Sequence, residues 1–198
     1  SKQIASVLAN PEQPATAAWQ KEYAKLLRGE IVLFRSNQGP SKLSEANSQF
    51  AVFDFDGDGI QELIIKYRYN EGTAELTDYY IASFDGNLIN TFEYQDRTFF
   101  GRVLFGYHAE NRQLLVASGH EAIHHSGYAL YGGQMHHVYY LRSGYMDASP
   151  EERIGDNKVD LTEAEYVIKA KAYMDALRTF DFVDNTSENR ESLLFTVE

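Results

Sequence analysis

One nine-residue stretch of this chain, Asp54-Phe55-Asp56-Gly57-Asp58-Gly59-Ile60-Gln61-Glu62, has the residue types and spacing of a cation-binding loop. Oxygen-bearing side chains recur at loop positions one, three, five and nine, with glycine at six. Calcium is a hard cation that takes roughly six to eight oxygen ligands at about 2.3–2.6 Å in a flexible shell. Alternate carboxylates on a tight turn converge on one point, and Gly59 permits the turn because it tolerates positive φ. The predicted shell is Asp54, Asp56, Asp58, the backbone carbonyl of Ile60, and Glu62 directly or through water. An EF-hand would add a bidentate acid at loop position twelve and a helix on each side. Position twelve is Ile65, and both flanks are rich in β-formers, so the loop is expected to join two strands.

A second string, His120-Glu121-Ala122-Ile123-His124, matches the H-E-x-x-H pattern of zinc peptidases. On a helix the two histidines stand one turn apart and bind zinc, while Glu121 would serve as the general base for a metal-bound water. The string runs on through His125-Ser126-Gly127, but Leu130 stands where the longer pattern needs a third histidine. Gly119 immediately precedes His120 and Gly127 closes the segment, leaving too short a span for a stable helix. A histidine-rich loop between strands is the expectation, with a zinc metallopeptidase as the alternative. His136-His137 adds a further option, a surface zinc or copper site built from several of the six histidines.

Aromatic residues suggest a third chemistry. Tyr79-Tyr80, Tyr128, Tyr131, Tyr139-Tyr140 and Tyr145 would supply stacking platforms for a glycan if they formed one exposed patch. Aromatic residues in neighbouring strands are more often cross-strand packing pairs. Adjacent tyrosines on a strand also point to opposite faces, so one of each pair at most lines a given site.

The elements that must hold these groups follow from periodicity. Residues 1–15 carry Pro11 and Pro14 with little pattern and form an N-terminal arm. Trp19, Tyr23, Leu26, Leu27 and Ile31 recur at helical spacing, which predicts a helix over 16–34. The near-continuous apolar run Phe50–Phe55 suits a strand buried on both faces. After it, Leu63, Ile65, Tyr67 and Tyr69 share one strand face, and Ile64, Lys66 and Arg68 share the other. A β-meander continues over 48–145, with turns at Asp85-Gly86 and Glu110-Asn111, and 155–160 is expected to be a linker. Thr162 with Glu165 three residues on predicts a capping box opening a helix over 161–181. The tail, 182–198, is polar except for an apolar run at 193–197 that could be a strand. The expected fold is a single α+β domain spanning 1–198: an antiparallel twisted sheet with a helix near each end of the sequence.

Composition bounds the function. The formal charge of −11 excludes a phosphate-neutralising nucleic-acid binder and disfavours anionic membranes. No apolar run approaches the roughly 20 residues that span a bilayer, and no secretory leader is legible. There is no cysteine, so there are no disulfides.

The D-x-D-G-D-G-x-x-E-L pattern of Asp54–Leu63 resembles the calcium loops of integrin-type FG-GAP and VCBS repeats. With Trp19 and Tyr23 before it and Thr162–Tyr166 after it, the chain resembles secreted or lipid-anchored proteins of Gram-positive gut bacteria. The resemblance implies an extracellular or cell-surface location. A single loop stands here rather than the repeated blades of a propeller. The function expected is non-catalytic: a module with structural calcium that binds an unidentified glycan or protein.

Overall fold

The computed structural model describes residues 18–35, 39–71, 74–96, 103–119, 123–144, 146 and 148–195; the arm expected over 1–15 lies outside them. The apolar stripe beginning at Trp19 forms helix α1 (Ala18–Leu27). It ends sooner than the periodicity predicted because Gly29 takes φ +69°. The Gly29 N–H donates to the Leu26 carbonyl and the Glu30 N–H to the Lys25 carbonyl, the two bonds of a Schellman cap. Beyond the cap, β1 (Val32–Arg35) pairs with β2 (Gly39–Lys42) in a two-stranded ribbon, where the sequence had suggested more helix.

The chain then builds a first meander, β3 (Ser48–Phe53), β4 (Glu62–Glu71), β5 (Ala74–Phe84) and β6 (Leu88–Asp96), each antiparallel to the one before. A second meander follows: β7 (Leu104–His108), β8 (Gln113–Gly119), β9 (Ile123–Tyr131), β10 (Gln134–Arg142), β11 (Glu151–Ile154) and β12 (Asn157–Asp160). The last two strands occupy the stretch read as a linker. Their hairpin turns at Gly155 (φ +57°), and β12 is exposed throughout as an edge strand. So short and polar a strand gives no alternation to detect.

Thr162 caps helix α2 (Glu163–Ala176) as its capping box requires. Its Oγ1 accepts the Glu165 N–H at 3.3 Å, and the Glu165 carboxylate accepts the Thr162 N–H at 2.8 Å. The helix stops short of the expected 181, and Leu177–Thr179 becomes β13, paired with β7 at the edge of the second sheet. Strand β14 (Val183–Asp184) then returns to β3 in the first sheet. The tail beyond it is helical, α3 (Ser187–Phe195), with Thr186 Oγ1 accepting the Asn189 N–H at 3.2 Å. A three-residue apolar run such as Leu193-Leu194-Phe195 cannot by itself distinguish strand from helix.

The class is α+β as expected, but apart from the β1–β2 ribbon the strands divide between two antiparallel sheets of seven and five. They form the middle of four layers. On the outer face of the five-stranded sheet, Tyr23, Leu26 and Leu27 of α1 and Leu194 of α3 bury Phe50, Leu63, Ile65 and Tyr80. Its inner face, with Ala51, Ile64, Tyr79 and Ile81, packs on Phe105, Leu114, Val116 and Leu130 of the seven-stranded sheet. Phe180 lies between the sheets among Phe53, Phe55, Phe105 and Tyr107, with ring centroids 5.1–6.2 Å away. Helix α2 covers the far face of the seven-stranded sheet through Tyr166 and Tyr173.

Placing Phe180 depends on β13 lying close against β7. Gly106 allows it, because a Cβ there would overlap the Arg178 carbonyl oxygen. Gly106→Ala is therefore expected to lower the unfolding free energy by about 1–3 kcal/mol, as overpacking does. Urea titration checks this, and an unchanged midpoint would mean that β13 does not dock there.

Candidate metal centre

The acidic loop is the tip of the β3–β4 hairpin, whose strands are fixed by burial on both faces. Gly57 and Gly59 take φ +82° and +86°, which folds the backbone back on itself. Backbone N–H groups then hold the carboxylates in place. Gly57 donates to Asp54 Oδ1 at 2.5 Å, Gly59 to Asp54 Oδ2 at 3.3 Å, Asp58 to Asp56 Oδ1 at 3.1 Å, and Ile60 to Asp58 Oδ1 at 2.7 Å. As a result Asp54, Asp56 and Asp58 each offer an oxygen, and these lie within 4.8 Å of one another. Two oxygens on one calcium ion stand at most about 5 Å apart, twice the ligand distance. The three aspartates predicted from spacing thus meet the first geometric requirement of a shared cation.

Glu62 has a different place. It does not join that cluster; its Oε2 accepts the Phe55 N–H at 2.8 Å across the neck of the loop. The side chain is almost wholly buried there. Burial, then the charges of Asp56, Asp54 and Asp58, push its carboxyl up to about 8. Ile60 lies between Asp58 and Glu62, and its N–H is committed to Asp58.

Two residues complete the surroundings. Tyr23 of α1 is fully buried, and its hydroxyl has no hydrogen-bond partner. Burial first, and then Glu62, Asp58 and Asp56, push its pKa upward, so the phenol sits within the field of the loop. Arg112, in the turn between β7 and β8, reaches across from the other sheet. Its Nη1 stands 3.2 Å from Asp54 Oδ2, and a Cβ on Gly57 would come within 2.6 Å of it. Arg112 itself takes φ +51°, an uncommon conformation for a side-chain-bearing residue. Sequence reasoning placed Tyr23 on the helix stripe without linking it to the loop. It missed Arg112 altogether, since nothing local signals a contact across 58 residues.

Of the histidine string, His120 and Glu121 lie outside the described residues. Ile123 and His124 begin strand β9, where His124 Nδ1 stands 2.7 Å from the Tyr140 hydroxyl. His125 is buried against Tyr166 and Tyr173, while His136 and His137 stack on Tyr131 and Tyr128. Among the described residues, the three aspartates are the only group of three or more His, Asp or Glu side chains whose ligand atoms converge. Of the tyrosines considered as platforms, Tyr79 and Tyr80 are buried, Tyr128, Tyr139 and Tyr140 are half-buried, Tyr131 is exposed, and Tyr145 lies outside the described residues.

Fold and site together define an α+β protein of two packed antiparallel sheets with one acidic loop at a hairpin tip. The sequence matches no protein-family model, and comparisons with curated proteins and with solved structures found no match.

A carboxyl with a folded pKa above its unfolded value holds its proton more tightly in the native state. For Glu62 this stabilisation is complete below about 4.5 and is lost as pH rises to about 8. In the presence of a chelator, the wild type should therefore lose stability relative to Glu62→Gln over that interval, by at most about 1.4 kcal/mol per pH unit. Urea unfolding of both proteins across the interval checks this. Parallel pH profiles would show that Glu62 is not held protonated.

Proposed function

We propose that this chain is a non-catalytic extracellular or cell-surface module whose Asp54–Glu62 loop binds calcium as a structural ion. The observation that carries the reading is the convergence of three aspartate oxygens within 4.8 Å at the tip of a core-anchored hairpin. The ligand set is all oxygen, which suits a hard cation over zinc or copper. An ion there would offset the repulsion among Asp54, Asp56, Asp58 and Glu62, which adds to burial, the larger cause, in raising the pKa values of Asp56 and Glu62. Glu62, at the neck, would hold the loop's entry and exit together, with or without a water between it and the ion. Loops of modest affinity, with dissociation constants around 10⁻⁴–10⁻³ M, suit the calcium levels outside cells. The resemblance to secreted and lipid-anchored proteins of Gram-positive gut bacteria points the same way. An unidentified glycan or protein partner remains part of this reading, and the resemblance bears on location and architecture, not on a ligand.

Because the ion would bind the folded state and not the unfolded chain, it would stabilise by mass action. Asp56→Ala is expected to lower the melting temperature in millimolar calcium and to leave the melt in chelator nearly unchanged. Differential scanning calorimetry of wild type and variant, each with calcium and with chelator, is the test. Equal losses in both conditions, or a wild type indifferent to calcium, would remove the metal from this loop.

A further inference from the structure

Beyond β9, the inner face of the seven-stranded sheet extends past its apolar contact with the five-stranded one. The buried apolar residues of that face end at Leu130, with Tyr128 and Met135 half-buried beside it. Residues directly paired across strands share a face. The register therefore sets two parallel rungs across β9 to β12: Ser126, Tyr140, Arg153 and Lys158 in one, and His124, Arg142, Glu151 and Asp160 in the other.

Three cations from three adjacent strands meet at one acid in these rungs. The nearly buried Glu151 carboxylate accepts from Arg142 Nη2 at 3.3 Å, Arg153 Nη2 at 2.8 Å and Lys158 Nζ at 3.0 Å. Asp160, 3.4 Å from Lys158, offsets one further charge but is largely exposed. Three positive charges thus face two negative ones, in a chain whose formal charge is −11. Arg142 Nε is also buried with no acceptor. Leaving a buried donor on a charged group unpaired is costly, so an acceptor is missing at this point.

Arg142, Glu151 and Arg153 also wall a cavity of about 270 Å³, with His137 and Tyr140 in its lining, while Lys158 stands outside that lining against Glu151. That volume is below the range of drug-sized pockets and suits a single polar head group. The two histidines beside the cluster carry no charge that would enter this balance. Burial, with Arg142 in one case and Arg153 in the other, holds His124 and His137 below the usual histidine range, so both are neutral hydrogen-bonding groups at pH 7. A guanidinium presents its donors in a planar fork that matches carboxylate and phosphate oxygens.

We propose that this face of β10–β12 is a binding site for an oxyanion, the carboxylate or phosphate group of a small molecule. Arg142, Arg153 and Lys158 hold it, and Glu151 is the fixed counter-charge that keeps the three cations convergent. The site is separate from the acidic loop and does not rest on the calcium reading.

The test follows the Arg142 Nε–H resonance by ¹H–¹⁵N NMR, assigned by its loss in Arg142→Lys, during titration with phosphate and separately with acetate. Sodium chloride at matched ionic strength controls for screening. A saturable shift with either anion beyond the chloride control supports the site. Acetate alone identifies a carboxylate ligand, phosphate alone a phosphate ligand, and both a site that reads the shared oxygens. Arg153→Gln and Lys158→Gln, both at half-exposed positions, should each weaken binding about tenfold, the loss of one hydrogen bond to a charged group. A shift no larger than that with chloride, or affinities unchanged in both variants, would overturn the proposal and leave the cluster a purely structural ion network.

Discussion

The β3–β4 hairpin must be buried on both faces, and the four layers follow from that requirement. Phe50, Leu63 and Ile65 point to one side, and Ala51 and Ile64 to the other, so neither face can be left to water. One side is covered by α1 and α3, elements drawn from opposite ends of the described chain. A buried polar group ties them to the hairpin: Asn185 Nδ2 donates to the Leu27 carbonyl at 2.7 Å and to Ser48 Oγ at 2.9 Å. Arg190 in turn donates to Asn185 Oδ1 at 2.8 Å and pairs with Glu45. The Leu27 carbonyl, at the end of α1, thereby gains a partner that its own helix cannot supply. The other side is covered by a whole second sheet, which then needs α2 to shield its own far face.

Anchoring the hairpin so firmly has a consequence at its tip. Strands fixed by the core cannot splay, so the carboxylates of the connecting loop are forced together despite their charge. Backbone N–H groups relieve part of the repulsion by donating to Asp54, Asp56 and Asp58. Arg112 relieves more at Asp54. Among the described residues no cation pairs with Glu62, and burial keeps its pKa raised. Three layers contribute to the surroundings of the loop: the hairpin supplies the acids, α1 supplies Tyr23, and the second sheet supplies Arg112. A change of charge there is consequently felt by elements that share no local sequence.

What could be read from the sequence divides along the same line between local and distant. The acidic loop, its flanking strands, the two faces of Leu63–Tyr69 and the Thr162–Glu165 capping box are all written in consecutive residues, and the structure has each of those elements. The end of α1 was also local, at Gly29, but the expectation followed the apolar stripe on to Ile31. The division into two sheets was not legible, because alternation says that a strand has two faces and not which sheet it joins. The β11–β12 hairpin and helix α3 were missed for want of periodicity in four-residue strands and in a three-residue apolar run. Tyr23 and Arg112 at the loop, and the convergence on Glu151, depend on register and layer packing, which no local pattern encodes.

Two buried glutamates, set in opposite surroundings, show how the fold separates its charge. At Glu62 burial dominates, neighbouring aspartates add to it, and the carboxyl is pushed up. At Glu151 burial acts in the same direction, yet the hydrogen bond from Lys158 and the charges of Arg142 and Arg153 hold its pKa below the ordinary value. The same side chain is thus pushed up where burial and acidic neighbours act together, and held down where cations outweigh burial. A site short of cations gains most from acquiring one, and a site holding more cations than its acids neutralise gains most from an anion. The converging aspartate oxygens at the hairpin tip, and the unpaired Arg142 Nε beside Arg153 and Lys158 on the β10–β12 face, are the observations from which ligands of opposite sign are proposed, and the opposite shifts of Glu62 and Glu151 accord with them.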